Sequence, residues 1–169
     1  MKNSDIKPDD LYPHPETMSD FKLLTDFKSA NVIIISTSYH KNITGSMASS
    51  FINNSNSNIK VSDIAFIEVP GAFELPLMIK IMIDKYKPKF IVALGCIIKG
   101  DTKHDEYLAS TVINGLRNLA LEYRTPIING VLTTNNLQQA IDRAGKKYDK
   151  GKDLVDTCFD LGILLDKHS

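Results

Sequence analysis

The chemistry in this chain is concentrated between Gly95 and Tyr107, in the run GCIIKGDTKHDEY. Two glycines, two lysines, a threonine and a histidine stand there between an apolar run, Phe90-Ile91-Val92-Ala93-Leu94, and a stretch from Leu108 to Ile113 with apolar residues at helical spacing. A short apolar run of that kind reads as a buried parallel strand, so the run is a strand-to-helix crossover. In an open α/β sheet, ligands bind just beyond the carboxyl ends of the strands. The start of the next helix adds unpaired N–H groups and the positive end of its dipole, which suit a phosphate. His104 falls in the first turn of that helix, where an imidazole could carry a proton to or from a bound molecule.

Other strand ends add to the set. The second predicted strand runs into Pro70-Gly71-Ala72-Phe73-Glu74, the fourth into Thr133-Thr134, and the first into Tyr39 and His40. In a parallel sheet these ends share one edge, so Glu74, Thr102 and His104 can converge although they are distant in sequence. Simpler roles stay open for each. Pro70-Gly71 makes a tight turn, and Glu74 is a first-turn carboxylate of the kind a helix dipole favours. Thr102-Lys103-His104-Asp105 fits a capping box, with Thr102 as the cap and Asp105 reaching back. Arg143 lies near a helix end, where cations are favoured. Lys146-Lys147-Tyr148-Asp149-Lys150 reads as a solvated turn.

The elements that must hold these residues alternate. Strands are predicted at Val32–Ile35, Ile64–Val69, Phe90–Leu94 and Pro126–Leu132. Helices are predicted at Thr44–Asn53, Phe73–Tyr86, His104–Tyr123, from Leu137, and from about Asp153 to Asp166. Asn54 to Asn58 is a turn cluster, and Thr133-Thr134-Asn135 caps the helix that begins at Leu137. The alternation implies a four-stranded parallel sheet covered on both faces. Residues 1–27 are polar, with Pro8, Pro13 and Pro15, and read as an N-terminal arm. Residues 28–169 form the folded domain.

Composition narrows the classes. With 169 residues, 43% hydrophobic and 24% charged, the chain suits one globular domain with a full core. Lys+Arg and Asp+Glu balance at 20 each, which argues against nucleic-acid binding through a broad basic face. No apolar run approaches the ~20 residues of a membrane span. MKNSDIKPDDLYPHPETMSD has no apolar core of a secretory signal, so a cytoplasmic location is expected. Cys96 and Cys158 have no metal or redox spacing, and no two of His14, His40, His104 and His168 stand four apart. Few metal sites could be built from that set.

Three segments, PGAFELP, GCIIKGDTKHDEY and NGVLTTNNLQQAIDRAG, resemble the signature segments of the 6,7-dimethyl-8-ribityllumazine synthase family, in that family's order and spacing. The resemblance runs from about Asn31 to Leu165. It implies a flavodoxin-like three-layer α/β/α sandwich. It also implies condensation of 5-amino-6-(D-ribitylamino)uracil with 3,4-dihydroxy-2-butanone 4-phosphate, late in riboflavin synthesis. An imine forms, phosphate leaves, and the ring closes with loss of water, and the resemblance implies that no metal or organic cofactor is used. By the same resemblance His104 is the catalytic proton carrier. Arg143 and the backbone around Gly100, Asp101 and Thr102 hold phosphate, and Glu74 accepts the ribityl hydroxyls. Ala72-Phe73 and Cys96-Ile97-Ile98 line the pyrimidine and ribityl pocket, and Tyr39 stacks on the heterocycle.

Some positions depart from the family pattern. Tyr39-His40 stands where many members have Phe-Asn, and Asn129 where many have a Phe supplied by the neighbouring subunit. Asp101 replaces a small residue, and Asp105 a frequent aromatic. The resemblance implies a homopentamer or a multiple of it, with active sites between subunits, and the arm is expected to pair with a neighbour's sheet. Two rival readings share the scaffold: the archaeal type of riboflavin synthase, and a non-catalytic lumazine or flavin binder. PGAFE, GDTKH and Arg143 together favour the lumazine-forming enzyme. A general nucleotide-binding domain is disfavoured, since no G-x-G-x-x-G or Walker-type loop is present.

Overall fold

The structure, a computed structural model, describes residues 10–18, 24–55 and 59–168. Residues 1–9 and 19–23 of the expected arm, and 56–58 of the expected turn cluster, lie outside the described residues. Four strands, β1 (Val32–Thr37), β2 (Ile64–Val69), β3 (Phe90–Ile98) and β4 (Ile127–Thr134), alternate with α1 (Lys41–Asn54), α2 (Leu75–Tyr86), α3 (His104–Tyr123), α4 (Leu137–Ala144) and α5 (Lys150–His168). The strands are all parallel, in the order β2-β1-β3-β4. Among the described residues that is the flavodoxin-like order without its fifth strand.

Alternation along each strand divides the core in two. Val32, Ile34, Ile64, Phe66, Val92 and Leu94 face α1, α4 and α5, meeting Met47, Phe51, Ala140 and Leu154. Ile33, Ile35, Ala65, Ile91 and Ala93 face α2 and α3, meeting Leu75, Ile79, Val112 and Leu116. The sheet is thus sandwiched between helical layers.

Several boundaries differ from the sequence expectation, each for a local reason. β3 runs on past Leu94 through Gly95 to Ile98. Gly95 does not end the strand. An added Cβ there would stand 3.4 Å from Leu75 and Val131, an ordinary contact, and Gly95 stays in register with Val131 as β3 continues along β4. β1 continues through Ser36 and Thr37, which are polar but buried. α4 is capped by Asn136, one residue later than expected. Its Oδ1 accepts the Gln139 N–H at 2.9 Å, and Gln139 Oε1 accepts the Asn135 N–H at 2.9 Å, a reciprocal capping box. α5 begins at Lys150 because Asp149 caps it, its carboxylate accepting the Lys152 N–H.

Residues 10–18 lie against α1 of their own chain, with Leu11 and Pro15 buried. Among the described residues no helix is long and apolar enough to cross a membrane.

Candidate active site

The site forms where the strand order reverses. β1 connects to β2 on one side, while β3 and β4 lie on the other, and the crevice between the ends of β1 and β3 is where such sheets bind ligands. Register sharpens the crevice. The last β1–β3 pair is Ser36 with Leu94, yet β3 keeps pairing β4 as far as Ile98 with Thr134. Phe90 N–H bonds the Asn31 carbonyl, and Ile91 N–H bonds the Pro126 carbonyl. Even-numbered residues of β3 therefore direct their peptide groups toward β1, and odd-numbered ones toward β4. Beyond the end of β1, Cys96 and Ile98 turn theirs toward open space. Hydrogen-bonding backbone is thereby offered to a ligand.

A cleft of about 370 Å³ occupies that space, within the usual range for small-molecule sites. Thr37, Tyr39 and His40 line it from the end of β1. Gly71, Ala72, Phe73 and Glu74 line it from the β2–α2 turn. Cys96, Ile97 and Ile98 come from β3, and His104, Asp105 and Leu108 from the first turns of α3. Of the residues singled out in the sequence, the cleft brings together Tyr39, Ala72, Phe73, Glu74, Cys96, Ile97, Ile98 and His104. A larger groove of about 650 Å³ lies at the opposite edge, by the starts of β3 and β4, away from every one of these residues.

Local geometry explains how each is held. Ser38 and Tyr39 extend the parallel pairing into the loop, their N–H groups donating to Val69 and Pro70 carbonyls at 2.8 and 3.1 Å. His40 then turns the chain with left-handed backbone, φ 59°, and its ring packs edge-on against Tyr39 at 4.5 Å. Burial lowers the His40 pKa, which keeps the ring neutral near pH 7. Tyr39 and Phe73 both stand at the cleft as exposed rings, 67% and 65%. Glu74 is half-buried, and its Oε2 is 3.1 Å from where a Cβ on Gly71 would stand, so the glycine gives the carboxylate room. No hydrogen bond or ion pair engages that carboxylate among the described residues. Burial pushes the Cys96 thiol up to about 12, so it lines the floor as an inert group.

The crossover from β3 to α3 is built differently from a standard capping box. Thr102 Oγ1 accepts the His104 N–H at 3.3 Å, two residues on. Asp105 reaches past Thr102, and its Oδ1 accepts the Gly100 N–H at 3.3 Å. Asp101 and Thr102 are exposed outside the cleft lining, and Asp101 caps nothing. Asn129 and Arg143 also lie outside it. Asn129 sits on the edge strand β4, its Oδ1 accepting the Val131 N–H at 3.0 Å. Arg143 is on α4, which packs on the sheet face opposite α3. Its guanidinium is exposed and makes no ion pair among the described residues.

The family model for 6,7-dimethyl-8-ribityllumazine synthase matches residues 29–165. The 6,7-dimethyl-8-ribityllumazine synthase of Parabacteroides distasonis is 34% identical over 142 residues, covering 83% of this chain and 89% of the relative. The chain belongs to the 6,7-dimethyl-8-ribityllumazine synthase family. As a lumazine synthase it is a transferase of riboflavin biosynthesis. It condenses 5-amino-6-(D-ribitylamino)uracil with 3,4-dihydroxy-2-butanone 4-phosphate and releases phosphate and water.

The lumazine synthase cleft holds more than the strand-end logic found. Thr37 and Leu108, which that logic does not reach, also line it, together with Gly71 and Asp105. Leu108 carried a usable signal, since it stands one helical turn after His104. Among the described residues no group of three His, Cys, Asp or Glu side chains could hold a metal ion.

Proposed function

We propose that the cleft binds the ribitylamino-pyrimidinedione, and that a neighbouring copy of the chain supplies the cation for the phosphate of the second substrate. The observation that carries this reading is the split of the signature residues. Tyr39, Glu74 and His104 line one cleft, while Arg143 sits across the sheet with no ion pair of its own. A phosphate dianion needs such a guanidinium, and bidentate Arg–phosphate contacts are among the strongest charge-assisted hydrogen bonds.

Each cleft residue then has a task. Tyr39 stacks on the heterocycle, and Glu74 accepts the ribityl hydroxyls. The peptide groups of Ala72, Phe73, Cys96, Ile97 and Ile98 meet the polar edges of the ring and the chain. His104 moves protons as the imine forms and phosphate departs. Asp101 and Thr102 flank the phosphate through the crossover backbone, and Asn129 faces the cleft of the neighbour. Much of the acceleration comes from holding two substrates in reacting geometry. The active form is a homopentamer or a multiple of it, working in the cytoplasm without a cofactor.

Mixing two inactive variants tests the shared site. His104→Ala and Arg143→Ala subunits are each expected to be strongly impaired. Reassembled together at equal amounts, about a quarter of the heterologous boundaries join an intact His104 to an intact Arg143, and activity returns toward that fraction. No recovery, in oligomers shown by native mass spectrometry to be mixed, would mean that one chain holds the whole site.

A further inference from the structure

We infer that Tyr12, in the N-terminal segment, is a positioning residue: it fixes the α4–α5 turn and so aims the cations that flank that turn. The inference rests on the phosphate role proposed for Arg143. The turn, between Ala144 and Lys150, is pinned by the segment at several points. The Asp10 carbonyl accepts the Lys146 N–H at 3.1 Å. The Tyr12 N–H donates to Ser46 Oγ at 3.0 Å, and that hydroxyl donates to the Ala144 carbonyl at 2.8 Å. The Tyr12 hydroxyl donates to Asp149 Oδ2 at 2.9 Å, and the Ser50 hydroxyl donates to the other oxygen of the same carboxylate. Burial, and then the Asp149 bond, raise the phenol pKa above its ordinary value, so the hydroxyl remains a donor near neutral pH.

The fit is specific. An added Cβ on Gly145 would lie 2.0 Å from the Asp10 carbonyl oxygen, and one on Gly45 would lie 2.2 Å from the His14 ring. Both glycines are seats that the segment fills. Asp149 holds a left-handed backbone, φ 43°, unusual for a residue with a side chain, while capping α5. A turn in that conformation needs its neighbours to over-determine it, and the Tyr12 hydroxyl is one of them.

What the turn carries gives the arrangement its purpose. Lys147 is engaged by Asp142 at 2.5 Å, and Lys150 by Asp153 at 3.9 Å. Arg143 and Lys146 have no ion pair among the described residues. Two uncommitted cations, Arg143 just before the pinned turn and Lys146 within it, therefore stand on the outer surface. Holding them in place before the phosphate arrives lowers the ordering cost of binding.

Tyr12→Phe removes one hydroxyl and leaves the backbone contacts of the segment. In the full-length assembled enzyme it is expected to raise KM for the butanone phosphate about three- to tenfold, with kcat and KM for the pyrimidine within about twofold. Amide hydrogen exchange over 144–152 should quicken, while native mass spectrometry gives the parent assembly. Arg143→Ala is measured alongside. If Arg143→Ala is selective for the phosphate substrate and Tyr12→Phe is not, the positioning role is wrong. Unchanged exchange over the turn in Tyr12→Phe overturns it as well. If Arg143→Ala raises both KM values alike, the phosphate reading falls, and this inference with it.

Discussion

Glu74 offers the sharpest separation between a binding role and a structural one. Its carboxylate is half-buried at the cleft, folded over Gly71, and engaged by no side chain or backbone donor among the described residues. Removing it therefore breaks no internal hydrogen bond. If it accepts ribityl hydroxyls, Glu74→Ala loses a charge-assisted hydrogen bond worth about 1.5–3 kcal/mol, a rise of roughly 10- to 150-fold in KM for the pyrimidine. Glu74→Gln keeps an acceptor oxygen and loses the charge. The expected cost is about 1 kcal/mol, or roughly fivefold. KM for the butanone phosphate should stay within about twofold, and the melting temperature should hold. The competing account gives a different pattern. A carboxylate that only complements the dipole of α2 contributes about 0.3–1 kcal/mol to stability. Its loss would lower Tm by a few degrees at most and leave both KM values alone. Steady-state kinetics with each substrate varied, together with a thermal melt of both variants, distinguishes the two. A pyrimidine KM within twofold of the parent in Glu74→Ala would refute the binding role.

Two further predictions concern the scaffold. Gly151→Ala should destabilise the protein, because an added Cβ would stand 2.4 Å from the Met47 carbonyl oxygen and 2.5 Å from Ser50 Cβ, forcing α5 off α1. Overpacking costs about 1–3 kcal/mol, more than the ~1 kcal/mol gained in helix propensity, so calorimetry should show a lower Tm. Gly162→Ala meets the Phe90 ring only at 3.5 Å, an ordinary contact, and should be neutral or stabilising; a parallel loss in both would discredit the packing argument. The third concerns pH. His40 has its pKa lowered by burial, so below the ordinary value of about 6.5 the unfolded chain binds the proton first. Stability should fall as pH drops from about 6.5 toward the lower folded value, and level off below it. His40→Asn should flatten that slope in melts between pH 7.5 and 5.5, and an unchanged slope would assign it to other groups.

Some of this was legible in residue order, and the reasons for the rest are physical. α3 was readable from His104 to Tyr123, because a polar crossover and an apolar helical stripe mark both of its ends. β3 was read short because Gly95 looks like punctuation. What carries the strand through it is pairing with Val131 of β4, a residue distant in sequence. That misreading matters functionally, since the overshoot of β3 past β1 is what forms the floor of the cleft. The packing of residues 10–18 on α1 was hidden in another way. Polar, proline-bearing composition suggested a segment without a core of its own. Yet Leu11, Pro15 and Tyr12 find theirs on α1 and the α4–α5 turn, through two glycines that no periodicity singles out. Strand-end reasoning gathers Glu74 and His104 at one cleft because both follow β strands onto the same edge. It says nothing about the side of the sheet on which Arg143 returns. α4 leaves that edge and packs against α1, on the face away from α3, and within one chain the guanidinium lines no part of the cleft. With the roles proposed for Arg143 and His104, the cation and the proton carrier sit on opposite layers of the same sheet, and bringing them together takes either a large movement of α4 or a second subunit. α4 buries Ala140, Ile141 and Ala144 in the core, so moving it would expose apolar surface at each turnover, and a second subunit is the less costly solution.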